Sequence, residues 1–459
     1  MIRSMVIDLL QGQKQEAASS QPVKQAPRGQ VEPGVFDTVD DAIQAAKAAQ
    51  ARFEDCTLAT REKVIADIRA TMRPRVQELA QKTVEETGMG RVADKVLKLN
   101  LTLDKTPGVE DLVTECETGD NGMTLYELSA YGVIGAITPS TNPAETLICN
   151  TIGMLAAGNA VFFSVHPGAK HLSRLLVSEL NQIIAKSIGI ENLIVTLREP
   201  SIESAQEMML HPDVSLLVVT GGPGVVKQAL QSGKKVIGAG AGNPPAFVDE
   251  TADIKKAAQD IVLGASLDNN ILCIAEKSVV AMRQIEPQLV QEMVKAGCVL
   301  IDNQQDIQRL VDLTVLPNGT PNKKFVGKNA SVILDAAHIP YNGDPRLIIM
   351  RTPKDHPFAV IEMLMPILPV VTVDSFDEGL DVCLMLEAGL HHTATMHSLN
   401  MERLNRMARK MKTSIFVKNG HPMPVLALAV KVRQPLQSLH LLGNPLHRLA
   451  ALHAVVDVV

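Results

Sequence analysis

Short apolar segments alternate with helical segments between residues 160 and 238, and this alternation constrains the fold more than any other feature of the chain. The apolar segments predict strands at Ala160 to Val165, Leu193 to Thr196, Ser215 to Thr220 and Val236 to Gly238. Helices are predicted to begin between these strands, at Ala169, Ser201 and Gly224. Strands and helices that alternate at this spacing are typical of a parallel sheet. We therefore expect an α/β fold.

The flanking regions continue the same pattern. Residues 124–138 predict two strands that meet near Gly132, and a second alternating region runs from residue 261 to about residue 419. A chain of 459 residues suits two or three domains.

Two helices are predicted near the amino terminus. Asp40 or Asp41 is expected to cap a helix that runs to about Gln50. A longer helical segment at residues 61–87 is expected to break or kink at Pro74, because proline cannot donate a backbone hydrogen bond inside a helix.

Composition argues against two classes of function. A net charge of −6 gives no electrostatic basis for binding nucleic acid, and no apolar run reaches the roughly 18 residues that a membrane helix needs. The first ten residues, MIRSMVIDLL, do not fit a signal peptide, so we expect a cytoplasmic protein. The six cysteines form no CxxC pair. We expect free thiols, no metal site and at most one reactive cysteine.

Two glycine-rich segments follow predicted strands. At residues 221–224 (GGPG), glycines between a strand and a helix let backbone N–H groups approach a phosphate, although an ordinary tight turn explains the same pattern. Residues 238–242 (GAGAG) do not form the dinucleotide motif GxGxxG, since Asn243 replaces its third glycine and two prolines follow. There we expect only a close approach of backbones.

One cysteine has the surroundings of a reactive residue. Cys273 follows the polar residues 266–270 and precedes an apolar strand, so it can be exposed at a strand edge. A lone cysteine in such a position is still more often structural.

Taken in order, these segments closely resemble the aldehyde dehydrogenase superfamily over roughly residues 35–420. The matching segments are Ile137 to Pro143, Leu155 to Ala160, Val219 to Gly222, the loop at 238–242, Cys273, and Glu362 to Pro366. A narrower resemblance, to the CoA-acylating propionaldehyde and acetaldehyde dehydrogenases of bacterial microcompartments, rests on Thr138 to Pro143, Gly238 to Pro245, Asp268 to Asn270, His391 to Ala394, and Thr413 to Asn419.

The resemblance implies an aldehyde dehydrogenase-like fold with a Rossmann-type nucleotide-binding domain, an α/β catalytic domain and a small oligomerisation β-extension. The nucleotide-binding domain would span residues 35–237, with an oligomerisation hairpin near 112–132. The catalytic domain would span residues 238–420, between an N-terminal segment at 1–34 and a tail at 421–459. A homodimer or homotetramer is expected if the tail permits it.

The resemblance also assigns the catalytic residues. Cys273 falls on the family nucleophile, whose thiolate attacks the aldehyde carbon, because a neutral thiol is a poor nucleophile. Asn142 falls on the asparagine whose side-chain amide, together with the backbone N–H of the cysteine, stabilises the developing alkoxide.

The family's coenzyme is NAD, and the resemblance places several residues around it. Glu362 would hold the nicotinamide ribose, and the backbone at Thr220, Gly221 and Gly222 would pass the pyrophosphate. His166 stands where hydrolytic relatives have a lysine on the adenosine ribose, which leaves NAD versus NADP open. The full set is Thr138, Pro139, His166, Thr220, Gly221, Gly222, Gly240 and Glu362.

The loop at residues 238–242 departs from hydrolytic relatives, which place a glutamate just before it to activate water. Without a general base, attack of water on a thioester should slow roughly 10²- to 10⁴-fold. A thiol ionises more readily than water, so the departure favours CoA as the acyl acceptor and acyl-CoA as the product. Acetaldehyde versus propionaldehyde stays open.

The N-terminal segment resembles an encapsulation peptide. Its apolar residues share one helical stripe and are Ile2, Met5, Val6, Leu9 and Leu10. Residues 11–34 suit a flexible linker. We expect residues 2–10 to dock on shell proteins of a microcompartment.

The tail at residues 421–459 departs from the family, which continues with Gly-Gly-Glu-Gly and interface strands. It has one glycine, one aspartate and no glutamate. When Leu428 is given a codon that ends in G and Ala429 to Val432 are written GCG GTG AAG GTN, the frame that begins at that G encodes Gly-Gly-Glu-Gly. This favours a frameshift over a truly divergent tail.

Three other functions fit less well. A hydrolytic aldehyde dehydrogenase would need a glutamate just before residues 238–242, and this chain has none there. An inactive chain that only docks on a shell is supported by the anomalous tail alone. A zinc enzyme would need His391, His392 and His397 at a spacing unusual for ligands.

Overall fold

The structure is a computed structural model that describes residues 32–422 and the strand at 453–458. The predicted docking stripe and linker, and most of the tail, lie outside the described residues. The strands are β1 (Val35–Phe36), β2 (Glu115–Gly119), β3 (Gly122–Ala130), β4 (Val133–Ile137), β5 (Ala160–Ser164), β6 (Ile194–Leu197), β7 (Val214–Thr220), β8 (Lys235–Ala239), β9 (Pro245–Val248), β10 (Ser278–Met282), β11 (Cys298–Leu300), β12 (Leu347–Arg351), β13 (Ile367–Val373), β14 (Thr393–His397), β15 (Ile415–Lys418) and β16 (His453–Val458).

Helices separate most of these strands, and a 3-10 turn at Leu267–Asn270 precedes Cys273. The α-helices are α1 (Val39–Glu54), α2 (Leu58–Met72), α3 (Val76–Thr87), α4 (Val92–Lys105), α5 (Pro143–Ala156), α6 (Lys170–Ile188), α7 (Ile202–Leu210), α8 (Pro223–Leu230), α9 (Ile254–Ser266), α10 (Glu286–Lys295), α11 (Gln304–Thr314), α12 (Ala330–Ala336), α13 (Pro357–Val360), α14 (Phe376–Glu387) and α15 (Met401–Met411).

Two parallel sheets form the core of the protein, which confirms the α/β prediction. The first sheet has the order β1-β6-β5-β4-β7-β8, and the second has the order β11-β12-β13-β10-β9-β14-β15. Consecutive residues of β5, including Phe162 and Phe163, are buried. A strand covered on both faces reads as a continuous apolar run, which is why these strands were visible in the sequence.

The predicted strands and helices between residues 160 and 238 are confirmed to within two residues. The break at Pro74 is also confirmed, since a 3-10 turn at Arg73–Arg75 separates α2 from α3. The predicted cap of α1 is wrong. Thr38 is the N-cap, with its hydroxyl accepting from the backbone N–H of Asp41, and both aspartates lie in the first turn. Carboxylates are favoured there by the helix dipole.

A third, small sheet contains the predicted hairpin. Strands β2 and β3 pair antiparallel, and β16 pairs antiparallel with the other edge of β3 over six residues. Every residue of β2 is exposed, so the ribbon is not part of either core. None of the described helices is long and apolar enough to cross a membrane.

Candidate functional site

All of the predicted coenzyme residues except Glu362 lie at the carboxyl ends of neighbouring strands in the first sheet. Thr138 follows β4, His166 follows β5, Thr220 ends β7 and Gly240 follows β8. The chain moves outward from β4 in one direction through β5 and β6, and then returns to β7 on the other side. The ends of β4 and β7 therefore flank the reversal in strand order, where open α/β sheets bind their ligands.

Thr138 has an orphaned hydroxyl at this position. The residue is 2% exposed and its backbone N–H donates to the carbonyl of Ser164 at 3.1 Å, but its Oγ1 has no hydrogen-bond partner among the described residues. A buried polar atom without a partner costs free energy unless a ligand satisfies it. The site thus fits a ligand with polar groups at the end of β4; Pro139, the next residue, is partly buried there.

The glycines beside Thr220 and at Gly240 provide room rather than contacts. A Cβ placed at Gly222 or Gly240 would meet no heavy atom of the described chain within 4 Å. The backbone N–H of Gly221, however, donates to the carbonyl of Ala239 at 3.1 Å. That amide is committed to strand pairing, so Gly222, the N-cap of α8, is better placed to face a phosphate.

His166 is exposed and serves as the N-cap of a short 3-10 turn. Its Nδ1 accepts from the backbone N–H of Gly168 at 3.0 Å. Its ring is thereby held at the carboxyl end of β5.

Cys273, the predicted nucleophile, lies at the amino end of the second sheet. Cys273 precedes β10, Gly242 precedes β9, His392 precedes β14 and Glu362 precedes β13, and these four parallel strands are contiguous in the second sheet. A Cβ on Gly242 would come within 2.7 Å of both the Cys273 carbonyl oxygen and the His392 ring. The glycine loop therefore packs directly against Cys273, as expected. The two prolines after the loop lead into a strand and not into the helix of a dinucleotide motif, since β9 begins at Pro245.

Three consecutive residues before Cys273 adopt left-handed backbone conformations. The φ angles of Asp268, Asn269 and Asn270 are 50°, 57° and 64°. Asp and Asn tolerate this region better than other residues with a side chain. Asn269 Nδ2 donates to Gly327 O at 2.8 Å, and Asn270 Nδ2 donates to Ala265 O at 2.7 Å. These buried amides hold the turn that presents Cys273.

Lys277 supports the same turn from beneath. Its ammonium is buried and donates to the Asn270 carbonyl at 2.7 Å, to Asn270 Oδ1 at 2.5 Å and to the Leu272 carbonyl at 2.8 Å. Burial lowers the pKa of Lys277 to about 8. The sequence analysis did not single out this residue.

The electrostatics around Cys273 favour a thiol in the absence of ligands. Burial, and then the carboxylate of Glu362, raise the pKa of Cys273 to about 12. The charge of Lys277 and the backbone N–H groups of Cys273 and Ile274 act in the opposite direction. Glu362 accepts from the backbone N–H of Gly242 at 3.1 Å, and burial raises its pKa.

Asn142 lies at the N-cap of α5 and connects to the nucleophile turn through buried charges. Its Oδ1 accepts from the ammonium of Lys98, which lies 2.5 Å from Asp268 Oδ2. Lys95 lies 2.9 Å from the same oxygen and donates to the carbonyl of Thr141 at 2.6 Å. Glu145 lies 3.2 Å from Lys98.

Sequence reasoning missed both lysines of this cluster, although a signal was present. Lys95 and Lys98 are three residues apart on α4 and share its buried face with Thr102. Two lysines on the buried face of a helix indicate buried partners, because unpaired charges are not buried.

A further carboxylate is buried near the nucleophile. Glu276 is inaccessible to solvent, and both of its carboxylate oxygens lack a hydrogen-bond partner among the described residues. Burial raises its pKa to about 8. No group of three histidine, cysteine, aspartate or glutamate residues within the described part of the chain could hold a metal ion.

Comparison with known proteins adds independent findings. A model described as the aldehyde dehydrogenase family matches residues 10–429. The chain is 51% identical over 388 residues to the propanal dehydrogenase (CoA-propanoylating) of Salmonella typhimurium, covering 84% of this chain and 83% of that protein.

Two solved structures are similar over nearly the whole chain. The propionaldehyde dehydrogenase of Rhodopseudomonas palustris, with bound CoA and an acylated cysteine, matches with a TM-score of 0.90 and 44% identity, over 93% of this chain and 98% of that one. An engineered glycolyl-CoA reductase with bound NADP+ matches with a TM-score of 0.90 and 44% identity, over 93% and 97% of the two chains.

Proposed function

The chain belongs to the aldehyde dehydrogenase family, and on that premise we propose that it oxidises a short-chain aldehyde with NAD and CoA to acyl-CoA and NADH. The observation that carries this proposal is the loop at residues 238–242. It packs against Cys273, yet it contains only glycine and alanine and therefore offers no side-chain base for water. CoA supplies a thiol that ionises far more readily than water and takes the place of water as the acyl acceptor.

In the first half of the reaction, the Cys273 thiolate bonds to the aldehyde carbon. The carbonyl oxygen becomes an alkoxide, which the side-chain N–H of Asn142 and the backbone N–H of Cys273 stabilise. Lys277 and the backbone N–H groups at residues 273–274 favour the thiolate. A bound NAD would supply the hydride acceptor, and loss of the hydride from the former aldehyde carbon would leave a thioester on Cys273.

In the second half, the CoA thiolate attacks the thioester carbon. Asn142 stabilises the second alkoxide in the same way. When that alkoxide collapses, the bond to Cys273 Sγ breaks, acyl-CoA leaves and the cysteine thiolate is restored. The proton of the CoA thiol passes to solvent when that thiol ionises, so atoms and charge balance without an activated water.

The coenzyme is proposed to bind at the carboxyl ends of β4 and β7. The Thr138 hydroxyl needs a polar partner, Gly222 and Gly240 leave open space, and Glu362 offers a carboxylate for ribose hydroxyls. His166 and Pro139 would border the adenosine side and the nicotinamide side. The similar reductase binds NADP+, so both coenzymes are to be compared.

The test is NADH formation from propionaldehyde or acetaldehyde, with and without CoA. We expect turnover that requires CoA, is lost in Cys273→Ala and persists in Cys298→Ala, a matched change at a buried cysteine on β11. Carboxylate formation at the same rate without CoA would instead support a hydrolytic enzyme. The same assay with NADP in place of NAD shows which of the two coenzymes the protein uses.

We propose that residues 2–10 dock the enzyme on microcompartment shell proteins, because one apolar helical stripe lies ahead of a polar linker. The paired substitutions Leu9→Asp and Leu10→Asp should abolish co-sedimentation of the full chain with purified shells and leave turnover unchanged. Shell association that survives both substitutions would contradict docking through this stripe.

We also propose that residues 421–459 arise from a shifted reading frame. The family match ends at residue 429, and the composition of the tail differs from the preceding chain. Reading the gene across codons 415 to 459 tests this. A shifted frame that encodes no family segment would remove the proposal.

A further inference from the structure

Lys98 makes a set of contacts that is unusual for a lysine. It is completely buried on α4, and its ammonium contacts Asp268 Oδ2 at 2.5 Å, Glu145 Oε1 at 3.2 Å and Asn142 Oδ1. Burial opposes its charge, but the two carboxylates raise the pKa of Lys98 above its usual value. The ammonium is therefore a fixed positive charge beside the side chain of Asn142.

This contact decides which way the amide of Asn142 faces. An N-cap asparagine usually turns its oxygen toward the first backbone N–H groups of its helix, but Asn142 makes no such cap bond. An ammonium has only donors, so the atom that meets Lys98 must be the amide oxygen. The nitrogen then faces away from the lysine, where one N–H meets Thr141 Oγ1 at 3.3 Å. Because the oxygen is fixed, the second N–H of Asn142 also points away from Lys98.

A positive charge beside the oxygen of a side-chain amide also affects the N–H groups of that amide. Hydrogen bonds from a cation to the carbonyl oxygen polarise the group and strengthen its N–H donors, most of all away from water. A preorganised donor of this kind contributes where negative charge develops in the transition state.

We infer that Lys98 is a positioning residue that orients and polarises the Asn142 amide toward the alkoxide. The inference rests on the proposed function, in which Asn142 donates to that oxygen. Lys98 itself does not touch substrate or coenzyme in this assignment.

The chain provides a matched control in Lys95. It is equally buried on the same helix and contacts the same Asp268 oxygen, but it donates to a backbone carbonyl instead of to Asn142. Removing either lysine alone would leave one buried carboxylate unpaired. Each lysine is therefore changed to methionine together with Glu145→Gln, so that one lysine and Asp268 always remain as a neutral pair.

The experiment measures kcat and KM for aldehyde, CoA and NAD in the full chain, with the wild type as the reference, because Glu145→Gln alone would leave two buried lysines with one carboxylate. The double variant with Lys98→Met should lower kcat by roughly 10- to 100-fold and change each KM by less than about threefold, because the lost interaction is made in the transition state. The double variant with Lys95→Met should lower kcat by less than about threefold.

Two further readouts separate positioning from a structural role. Alkylation of Cys273 by iodoacetamide forms no alkoxide, so its rate should be the same with and without Lys98→Met. In an Asn142→Ala background, Lys98→Met should cause no additional loss of kcat, since residues that act through one another are not additive. Unequal alkylation, equal losses from the two lysines, or an additive loss would each overturn the inference.

The test also separates the inference from the proposed function. If Asn142→Ala alone keeps full CoA-dependent turnover, the assigned role of Asn142 fails. If Asn142→Ala loses turnover but Lys98→Met does not, only the inference fails.

Discussion

The coenzyme side and the nucleophile side of the site are built in contrasting ways. Thr138, Gly222 and Gly240 lie at the carboxyl ends of the first sheet. There they offer open space and one buried hydroxyl that has no partner within the described part of the chain. Cys273 lies at the amino end of the second sheet, above a turn held by buried ammonium groups and amides. One side is arranged to receive a ligand. On the other side the turn before Cys273 is held by partners within the protein, and the exception is Glu276, whose carboxylate oxygens have no hydrogen-bond partner among the described residues.

The contrast predicts that polar groups contribute mainly to folding on the nucleophile side and mainly to ligand binding on the coenzyme side. On the nucleophile side, side chains stabilise the fold and the geometry of Cys273 together. On the coenzyme side, a polar group costs free energy until the ligand binds, so its loss should affect binding more than folding.

The largest expected difference comes from Asp268→Ala compared with Thr138→Val. Asp268→Ala removes the shared partner of Lys95 and Lys98 and should lower the free energy of unfolding by about 3–5 kcal/mol. Thr138→Val removes an unpartnered hydroxyl and should change it by less than about 1 kcal/mol, while raising the KM for NAD. Denaturant unfolding and steady-state kinetics measure both. Similar destabilisation by the two changes would contradict the contrast.

The next effect is a pH dependence on the nucleophile side. Burial raises the pKa of Glu276 from 4.5 to about 8. The folded protein thus keeps a proton that the unfolded chain releases, and the free energy of unfolding falls as the pH rises from about 4.5 to about 8.

Glu276→Gln cannot ionise, so its stability relative to the wild type should grow across this window, by on the order of 4 kcal/mol. The comparison is of unfolding free energies at pH 5 and pH 9 for both proteins. Lys277 is present in both proteins, so its own titration cancels except for the part that comes from the Glu276 carboxylate, which raises the pKa of Lys277 in the wild type only. A difference that does not change with pH would show that Glu276 ionises normally in the folded protein.

The smallest effect separates two glycines of one loop. Gly242→Ala would force a Cβ to within 2.7 Å of the Cys273 carbonyl oxygen, and this overpacking should cost about 1–3 kcal/mol and reduce kcat. Gly240→Ala projects into open space, so stability should change little while the KM for coenzyme or CoA rises. Circular dichroism melts with steady-state kinetics distinguish them. If Gly240→Ala destabilised as much as Gly242→Ala, residue 240 would not border ligand space.

The sequence predicted the coenzyme side better than the nucleophile side. Buried strands and the glycines after them are local patterns, so the ends of β4, β7 and β8 could be placed before the structure was known. The contacts of Lys98 with Asn142 and Asp268 join residues 44 and 170 positions apart, and no local pattern encodes such pairings. The resemblance to a known family supplied Cys273 and Asn142, but not the charges beneath them.

The dependence on non-local structure also explains why the N-cap of α1 was predicted wrongly. Asp40, Asp41 and Thr38 are all good N-cap residues, and the choice among them depends on where the chain leaves β1. Thr38 is the N-cap because it lies just outside the helix, and the two aspartates therefore lie in the first turn.

The central claim is that Cys273 carries a thioester that CoA discharges and water does not. Intact-protein mass spectrometry after mixing with propionaldehyde and NAD tests it directly. The claim predicts one added propionyl group on the wild type, none on Cys273→Ala, persistence without CoA and rapid loss when CoA is added. No adduct on Cys273, or an adduct lost equally fast without CoA, would contradict it.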